Sequence, residues 1–335
     1  MKKLIIILCI IIGIGLTIGI VGVIVSAVNG GLNMEEVKKT ETYSAGENLK
    51  INTYTDDIKV SVGDGEEIQF VYYESAKHKA EIKRENGEIS FEMRRKLLNF
   101  DWFGKNKRTI TVILPKSFSG SLDINVSTGV IEADLSGVTV NNFSSNATTG
   151  ETKITNVTTV GNAEFHCSTG RIKASTINAG GSLDIKCTTG GIETENATIG
   201  GNLAAEGTTG SIKLLNVKAK AMVIKETTGD ATLDVDCNDL NVKSSTGKIN
   251  FTVKNADKIT VKCTTGDVKG LIYGDLTEFD VYYDTDTGDC NLPVQTVGKG
   301  KSIKVDTTTG DINVKFEKAE KRQLSPTLAI QLIDR

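Results

Sequence analysis

Short runs of alternating apolar and polar residues are interrupted, along most of this chain, by one recurring dipeptide. Thr-Gly places its glycine at Gly129, Gly150, Gly170, Gly190, Gly210, Gly229, Gly247, Gly266, Gly288 and Gly310, at intervals of 21, 20, 20, 20, 19, 18, 19, 22 and 22 residues. Each repeat reads apolar-x-apolar-x-x-(Ser/Thr)-Thr-Gly-x-apolar, as in Leu183-Asp184-Ile185-Lys186-Cys187-Thr188-Thr189-Gly190-Gly191-Ile192. Alternation ahead of the glycine marks a half-buried strand. Two residues after it the apolar position returns, at Ile131, Ile172, Ile192, Ile212, Ile249, Val268 and Ile312, and starts a second strand on the same core. The chain therefore bends at Thr-Gly. Glycine accepts the positive φ such a corner needs, and the threonine beside it can bond neighbouring backbone or the next coil. A second glycine-rich corner recurs at Gly161-Asn162, Gly180-Gly181 and Gly200-Gly201.

A unit of about 20 residues cannot bury its own apolar face, so it is stable only when stacked on neighbours in register. The expected fold is all-β: a single-domain parallel β-solenoid of about ten coils of 18–22 residues, a rod of roughly 45–50 Å at about 4.8 Å per coil. An antiparallel sandwich would also give short strands, but would not hold one turn dipeptide at one interval ten times. Residues 121–316 carry the Thr-Gly coils. Upstream, 42–120 alternates without Thr-Gly (Leu49 to Ile51, Ile68 to Tyr72) and reads as degenerate coils or a β-rich N-terminal cap. Residues 317–335 read as a C-terminal cap or tail, in which Leu324 to Ile333 would cover the last coil's open edge.

The uncharged run Leu4 to Val28 follows Lys2 and Lys3. As a helix it spans roughly 37 Å, enough to cross a bilayer with some tilt. The reading is one transmembrane signal-anchor helix over 4–28, with residues 1–3 in the cytoplasm, a linker over 29–41 and the remainder outside the cell membrane. A cleaved signal peptide is the alternative, with Val25-Ser26-Ala27 as its site, although its apolar region would ordinarily be shorter. Cys9 lacks the small residue expected before a lipobox cysteine. Gly15, Gly19, Gly22 and Ser26 fall on one helical face, a candidate seam for self-association or for a membrane protein partner.

The order Asp57-Ile58-Lys59-Val60, then Ile110-Thr111-Val112-Ile113-Leu114-Pro115, then serial Thr-Gly coils resembles the putative-adhesin family of bacterial envelope proteins, over roughly residues 45–316. The resemblance implies a Thr-Gly solenoid exposed at the cell surface. It also implies adhesin-like binding or an accessory role in membrane stress sensing, and it supplies no catalytic residue.

Composition narrows the chemistry. Aromatic residues make up only 5% of the 335, against 34 glycines and 3 prolines, which suits coils and turns. Without Lys2 and Lys3 the chain has 37 basic against 42 acidic residues, a formal charge of −5 that gives nucleic-acid binding no support. Solenoid polysaccharide lyases build their sites on long inserted loops, and intervals of 18–22 residues leave no room for them. No cofactor is implied. Asp284, Asp286 and Asp289, with Asp280 nearby, form the best acidic cluster, a weak calcium candidate beside the plainer reading of a solvated corner. His78 and His166 stand far apart in sequence. Cys167, Cys187 and Cys263 share a position filled elsewhere by Val126, Ala147 and Gly207, a file of small side chains in which thiols are expected rather than a disulfide. The threonine pairs resemble ice-binding arrays, but adjacent residues in extended backbone face opposite sides, so turn chemistry explains them better.

One exported stretch combines cations with aromatics. Arg94, Arg95, Lys96, Lys105, Lys107 and Arg108 surround Leu97, Leu98, Phe100, Trp102 and Phe103. Lying between the strands Glu88 to Met93 and Thr109 to Leu114, it reads as a long hairpin tip. It would either cap the first coil or grip a lipid bilayer or an anionic cell-wall polymer. The functional expectation is a non-enzymatic surface module, structural or binding, with a regulatory accessory acting through the transmembrane helix as its rival.

Overall fold

The computed structural model describes residues 36–75, 78–95 and 108–318. The helix expected over 4–28, with Gly15, Gly19, Gly22 and Ser26, lies outside them, as does the tail Leu324 to Ile333. Among the described residues no helix is long and apolar enough to cross a membrane. The chain divides into two compact units, one ending at Gly180 and one beginning at Gly181. Both are built from parallel coils of the kind the repeat demands.

The first unit holds β1 (Val37–Ser44), β2 (Asn48–Thr53), β3 (Asp57–Gly63), β4 (Glu67–Glu74), β5 (His78–Glu85), β6 (Glu88–Arg95), β7 (Thr109–Pro115), β8 (Leu122–Thr128), β9 (Ile131–Asp134), β10 (Thr139–Val140), β11 (Phe143–Thr159) and β12 (Ala163–Ala179). Strands β11 and β12 run parallel through the bend itself, pairing Phe143 with Ala163, Gly150 with Gly170 and Thr152 with Ile172. Apolar positions of one coil thus lie over those of the next. Phe143 and Phe165 meet edge-on at 5.6 Å, and both are buried.

Coil order in space departs from coil order in sequence. Strands β8 and β9 lie between β11 and the β2/β3 coil, and β2/β3 pairs on its other side with β6/β7. The first coil is therefore held on both edges, and the β6/β7 coil is the outer layer. Antiparallel strands cover that layer: β5 joins β6, β4 joins β7, and β1 joins β4. Their aromatic residues close the core, Phe70 stacking on Phe91 at 5.1 Å and Tyr72 meeting Phe91 edge-on at 5.2 Å. This corrects the hairpin reading of residues 94–108. Strands β6 and β7 pair with β2 and β3, not with each other, and residues 96–107 between them lie outside the described residues.

The second unit holds β13 (Leu183–Ile199), β14 (Leu203–Thr209), β15 (Ile212–Lys218), β16 (Ala221–Thr228), β17 (Ala231–Asp236), β18 (Asp239–Thr246), β19 (Ile249–Lys254), β20 (Lys258–Thr265), β21 (Val268–Tyr273), β22 (Phe279–Thr287), β23 (Lys301–Thr309) and β24 (Ile312–Glu317). Here too the last coil by sequence is not the last in space. Strand β23 pairs with β20 on one side and β22 on the other, so the Gly310 coil sits between those of Gly266 and Gly288. Among the described residues, the exposed end is covered by 290–297. The Asn291 side chain takes the place of a strand on β24, donating to Val314 O at 3.0 Å and accepting from Val314 N at 2.9 Å.

A third corner, unrecognised in the sequence, completes the coil. Asn156 and Thr176 in the first unit, and Asn196, Asn216 and Asn255 in the second, adopt φ of +54° to +60°. Asparagine tolerates this left-handed geometry because its side chain bonds locally. Asn216 Nδ2 donates to Asn196 Oδ1 at 2.8 Å, and Asn156 Nδ2 to Asp134 Oδ1 at 3.0 Å.

Candidate functional site

Three Thr-Gly corners line one edge of the first unit and seven line one edge of the second. Their glycines all have φ between +129° and +158°, where a side chain is strained. Stacking imposes a second demand. A Cβ on Gly150 or Gly170 would overlap the carbonyl oxygen of Gly129 or Gly150, and one on Gly210 or Gly229 that of Gly190 or Gly210. The glycine amides bond the neighbouring coil, as Gly210 N does to Thr228 O at 2.9 Å. Where aspartate flanks the glycine it ties coils together: Asp57 Oδ1 accepts from Val130 N, and Asp230 Oδ1 from Lys248 N, both at 2.8 Å.

Because the backbone turns there, both residues before each glycine are exposed. The expectation that they face opposite sides fails at the corner. Two adjacent hydroxyl files result in each unit, from Ser127-Thr128 to Ser168-Thr169 in the first and from Thr188-Thr189 to Thr308-Thr309 in the second, with Asp286-Thr287 as the exception. Behind them runs the inward file. Cys167, Cys187 and Cys263 are buried in it, as expected, but so is Glu226, with 4% of its surface exposed. Gly207 makes room, since a Cβ there would strike the Glu226 carboxylate. Neither Glu226 oxygen has a well-formed hydrogen bond, and burial pushes its carboxyl upward, only partly offset by the Thr228 and Thr227 amides.

Outward from this file the second unit has an open trough of about 510 Å³. Strand alternation turns Lys225, Lys243 and Lys262, and two residues on Thr227, Ser245 and Thr264, outward along it, with Glu226, Ser244 and Cys263 inward between them. Asp284, Asp286 and Asp306 close one end. Lys225 pairs with Glu206 at 2.6 Å and Lys262 with Asp306 at 3.5 Å. Among the described residues, Lys243 has no ion pair.

The acidic cluster does not converge. Asp284 and Asp286 project outward from β22, whereas Gly288 carries Asp289 round the corner, where its amide donates to Asp311 Oδ1 at 2.9 Å. Asp280 is occupied in accepting from Val297 N and Gly298 N at 2.6 and 2.9 Å. Among the described residues no group of three His, Cys, Asp or Glu is placed to hold a metal ion. Arg94 is paired with Glu81 and Glu92 at 2.8 and 3.0 Å. Arg95 ends β6, and Trp102, Phe103, Lys105 and Lys107 lie outside the described residues.

Sequence reasoning missed one buried carboxylate–imidazole pair. Asp56, at the β2–β3 corner, and His78, at the start of β5, are 2% and 3% exposed. Asp56 Oδ2 lies 3.0 Å from His78 Nε2 and accepts from Thr53 Oγ1 at 3.0 Å. Arg108 Nη1 stands 3.3 Å from His78 Nδ1, and its Nε and Nη2 each reach Glu36 Oε1 at 2.6 Å. The only available signal was Asp56 standing, after Thr55, where later coils have the glycine of Thr-Gly.

Among solved structures, a "putative adhesin" from Bacteroides fragilis is 14% identical, with 83% of this chain and 97% of that one covered and a TM-score of 0.36. A "putative adhesin" from Parabacteroides merdae is 11% identical, over 83% and 96%, with a TM-score of 0.36. A "putative cell adhesion protein" from Clostridium sporogenes is 12% identical, over 84% and 100%, with a TM-score of 0.23. Likeness at this level transfers no binding property. No curated protein matches the chain. The family model described as Toastrack DUF4097 matches residues 46–315, which spans both units and nearly every coil, and the chain belongs to that family.

Proposed function

We propose that this chain is a membrane-anchored, extracytoplasmic β-solenoid that acts as a non-enzymatic binding module at the cell surface. Its Thr-Gly edge is the contact surface, and a linear, hydroxyl-rich anionic polymer of the cell envelope is its ligand. The observation that carries this reading is the trough of the second unit. Lysines and hydroxyls repeat along it at the coil spacing, and among the described residues Lys243 has no ion pair. Uniform coils without inserted loops suit recognition along an edge rather than catalysis in a cleft. The run Leu4 to Val28 supplies the anchor and the two N-terminal lysines its orientation, with the lipid bilayer as one partner and nucleic acid as none. In the test, residues 36–335 are mixed with purified anionic wall polymer and the bound fraction is measured by sedimentation. Neutralising Lys225, Lys243 and Lys262 together to Gln should lower binding at low salt; unchanged binding would refute the trough as the site.

A second reading, a regulatory accessory acting through the transmembrane helix on a membrane protein partner, is favoured by the polar chain of the first unit. Strand β1 leads directly from the N-terminal segment, and Glu36 and Arg108 tie it to the buried Asp56–His78 pair. Activity that disappears when the native helix is exchanged for an unrelated one would favour this role over simple attachment.

A further inference from the structure

The Asp56–His78–Arg108–Glu36 chain fixes the protonation state of its own histidine. A guanidinium has five donors and no acceptor, so the 3.3 Å approach of Arg108 Nη1 to His78 Nδ1 requires a lone pair on Nδ1. The ring proton then sits on Nε2, which lies 3.0 Å from Asp56 Oδ2 without a well-formed hydrogen bond to it. A second proton on Nδ1 would set donor against donor and cation against cation. Arg108 and that proton compete for one lone pair.

Charged residues approach His78 from several of the described elements. The β2–β3 corner supplies Asp56, the start of β7 supplies Arg108, and the chain entering β1 supplies Glu36 through Arg108. Strand β4 ends in Glu74, whose Oε1 accepts from Ala80 N at 2.9 Å. Strand β6 places Arg95 opposite His78 in register, and Lys79 follows His78 in β5. With His78 neutral, Asp56, Glu36 and Arg108 sum to one negative charge, so the four-residue chain can take up a proton without acquiring a net positive charge.

We propose that His78 is an acid-responsive latch on the N-terminal strand. Neutral His78 holds Arg108, and through it Glu36 at the start of β1; a proton on Nδ1 expels Arg108 and loosens β1. The interval is that in which imidazoles ordinarily titrate, about pH 5 to 8. By reciprocity, an anion that draws Arg108 away favours protonation, and acid favours capture of Arg108 by such an anion. The inference requires neither the trough nor its ligand.

The experiment is hydrogen exchange of the full chain in lipid nanodiscs at pH 7.5 and pH 5.5, corrected for intrinsic exchange rates and read over residues 37–44. Loss of one charge-assisted contact should cost β1 about tenfold in protection on acidification. His78→Gln, whose amide can accept from Arg108 and donate to Asp56 at either pH, should remove that dependence. Arg108→Gln should give the low protection at both. An equal pH response in wild type and His78→Gln, or a flat wild type, would overturn the latch. Should His78→Gln fail to fold, the wild-type imidazole decides by nitrogen NMR at pH 7.5: a proton on Nε2 supports the proposal, and one on Nδ1 refutes it.

Discussion

Gly210→Ala is the sharpest perturbation of the fold. Gly210 has φ +149°, so any Cβ costs on the order of 1–3 kcal/mol in backbone strain. A Cβ there also overlaps the carbonyl oxygen of Gly190, and backbone held on both sides by in-register ladders has no side chain to move aside. Forced shifts in packed interiors add roughly 1–3 kcal/mol, so the expected loss is about 3–5 kcal/mol, and more for valine. Gly298→Ala separates the two contributions. Gly298 also has positive φ, +65°, but nothing lies within 4 Å of its Cβ position, and the expected loss is about 1 kcal/mol. Guanidinium unfolding followed by circular dichroism compares the two. Since coils contact only their neighbours, hydrogen exchange over residues 203–228 gives the local readout. If Gly210→Ala costs no more than Gly298→Ala, backbone conformation alone explains the repeat and the stacking argument falls.

Glu226→Cys, which restores the residue type of Cys187 and Cys263, should stabilise the second unit by about 1–3 kcal/mol at neutral pH. Burial raises the folded carboxyl above the ordinary glutamate range, so the native state binds the proton more tightly. The gain should therefore be absent below about pH 4 and appear as pH rises past the unfolded value; a gain that persists in acid would exclude ionisation as its source. Asn291→Ala leaves Val314 N and O without their bonds and should cost about 1–2 kcal/mol. Light scattering should show increased self-association through the uncovered β24 edge, and an unchanged monomer would show that the edge is covered otherwise. In membranes, Gly15→Leu with Gly19→Leu should reduce helix crosslinking if the small-residue face is a seam, and unchanged crosslinking would reduce that face to composition.

The interior coils were legible because each obeys the same two constraints, alternation and a glycine corner. Even the pair of segments that suggested the family proves to be physically coupled: β3 and β7 are register neighbours, with Ile58 opposite Ile110 and Gly63 opposite Pro115. The Asn corner was also written in the sequence, six residues after Gly150, Gly190 and Gly210. It went unread because asparagine at positive φ leaves no hydrophobic signature. Coil order was not legible at all. Nothing in the alternation of β2 or β23 records that each lies one layer in from its end, because an inward-facing strand has the same pattern whichever coil it joins. The inward file misled for the opposite reason: Glu226 stands where the repeat calls for a small residue, and only Gly207, one coil earlier, explains how it fits.

These misses share a cause that bears on function. Stacking dictates the glycines, the inward aliphatic residues and most of the corner aspartates, which leaves them little freedom to recognise anything. Residues that stacking does not dictate carry more information. Lys225, Lys243 and Lys262 form a run of one charge at a position occupied elsewhere by Asn125, Asn146 and His166, and no ladder requires lysine there. Asp56 replaces the glycine of Thr-Gly in the second layer of the first unit, and the replacement brings a carboxylate inward against His78. Had that coil kept the glycine, β2/β3 would stack as well, but no buried acid would meet the imidazole and no arginine would be drawn to its other nitrogen. In a fold whose repeat is set by its own neighbours, chemistry enters through departures from the repeat, and the two largest clusters of departures are the trough and the Asp56–His78 pair.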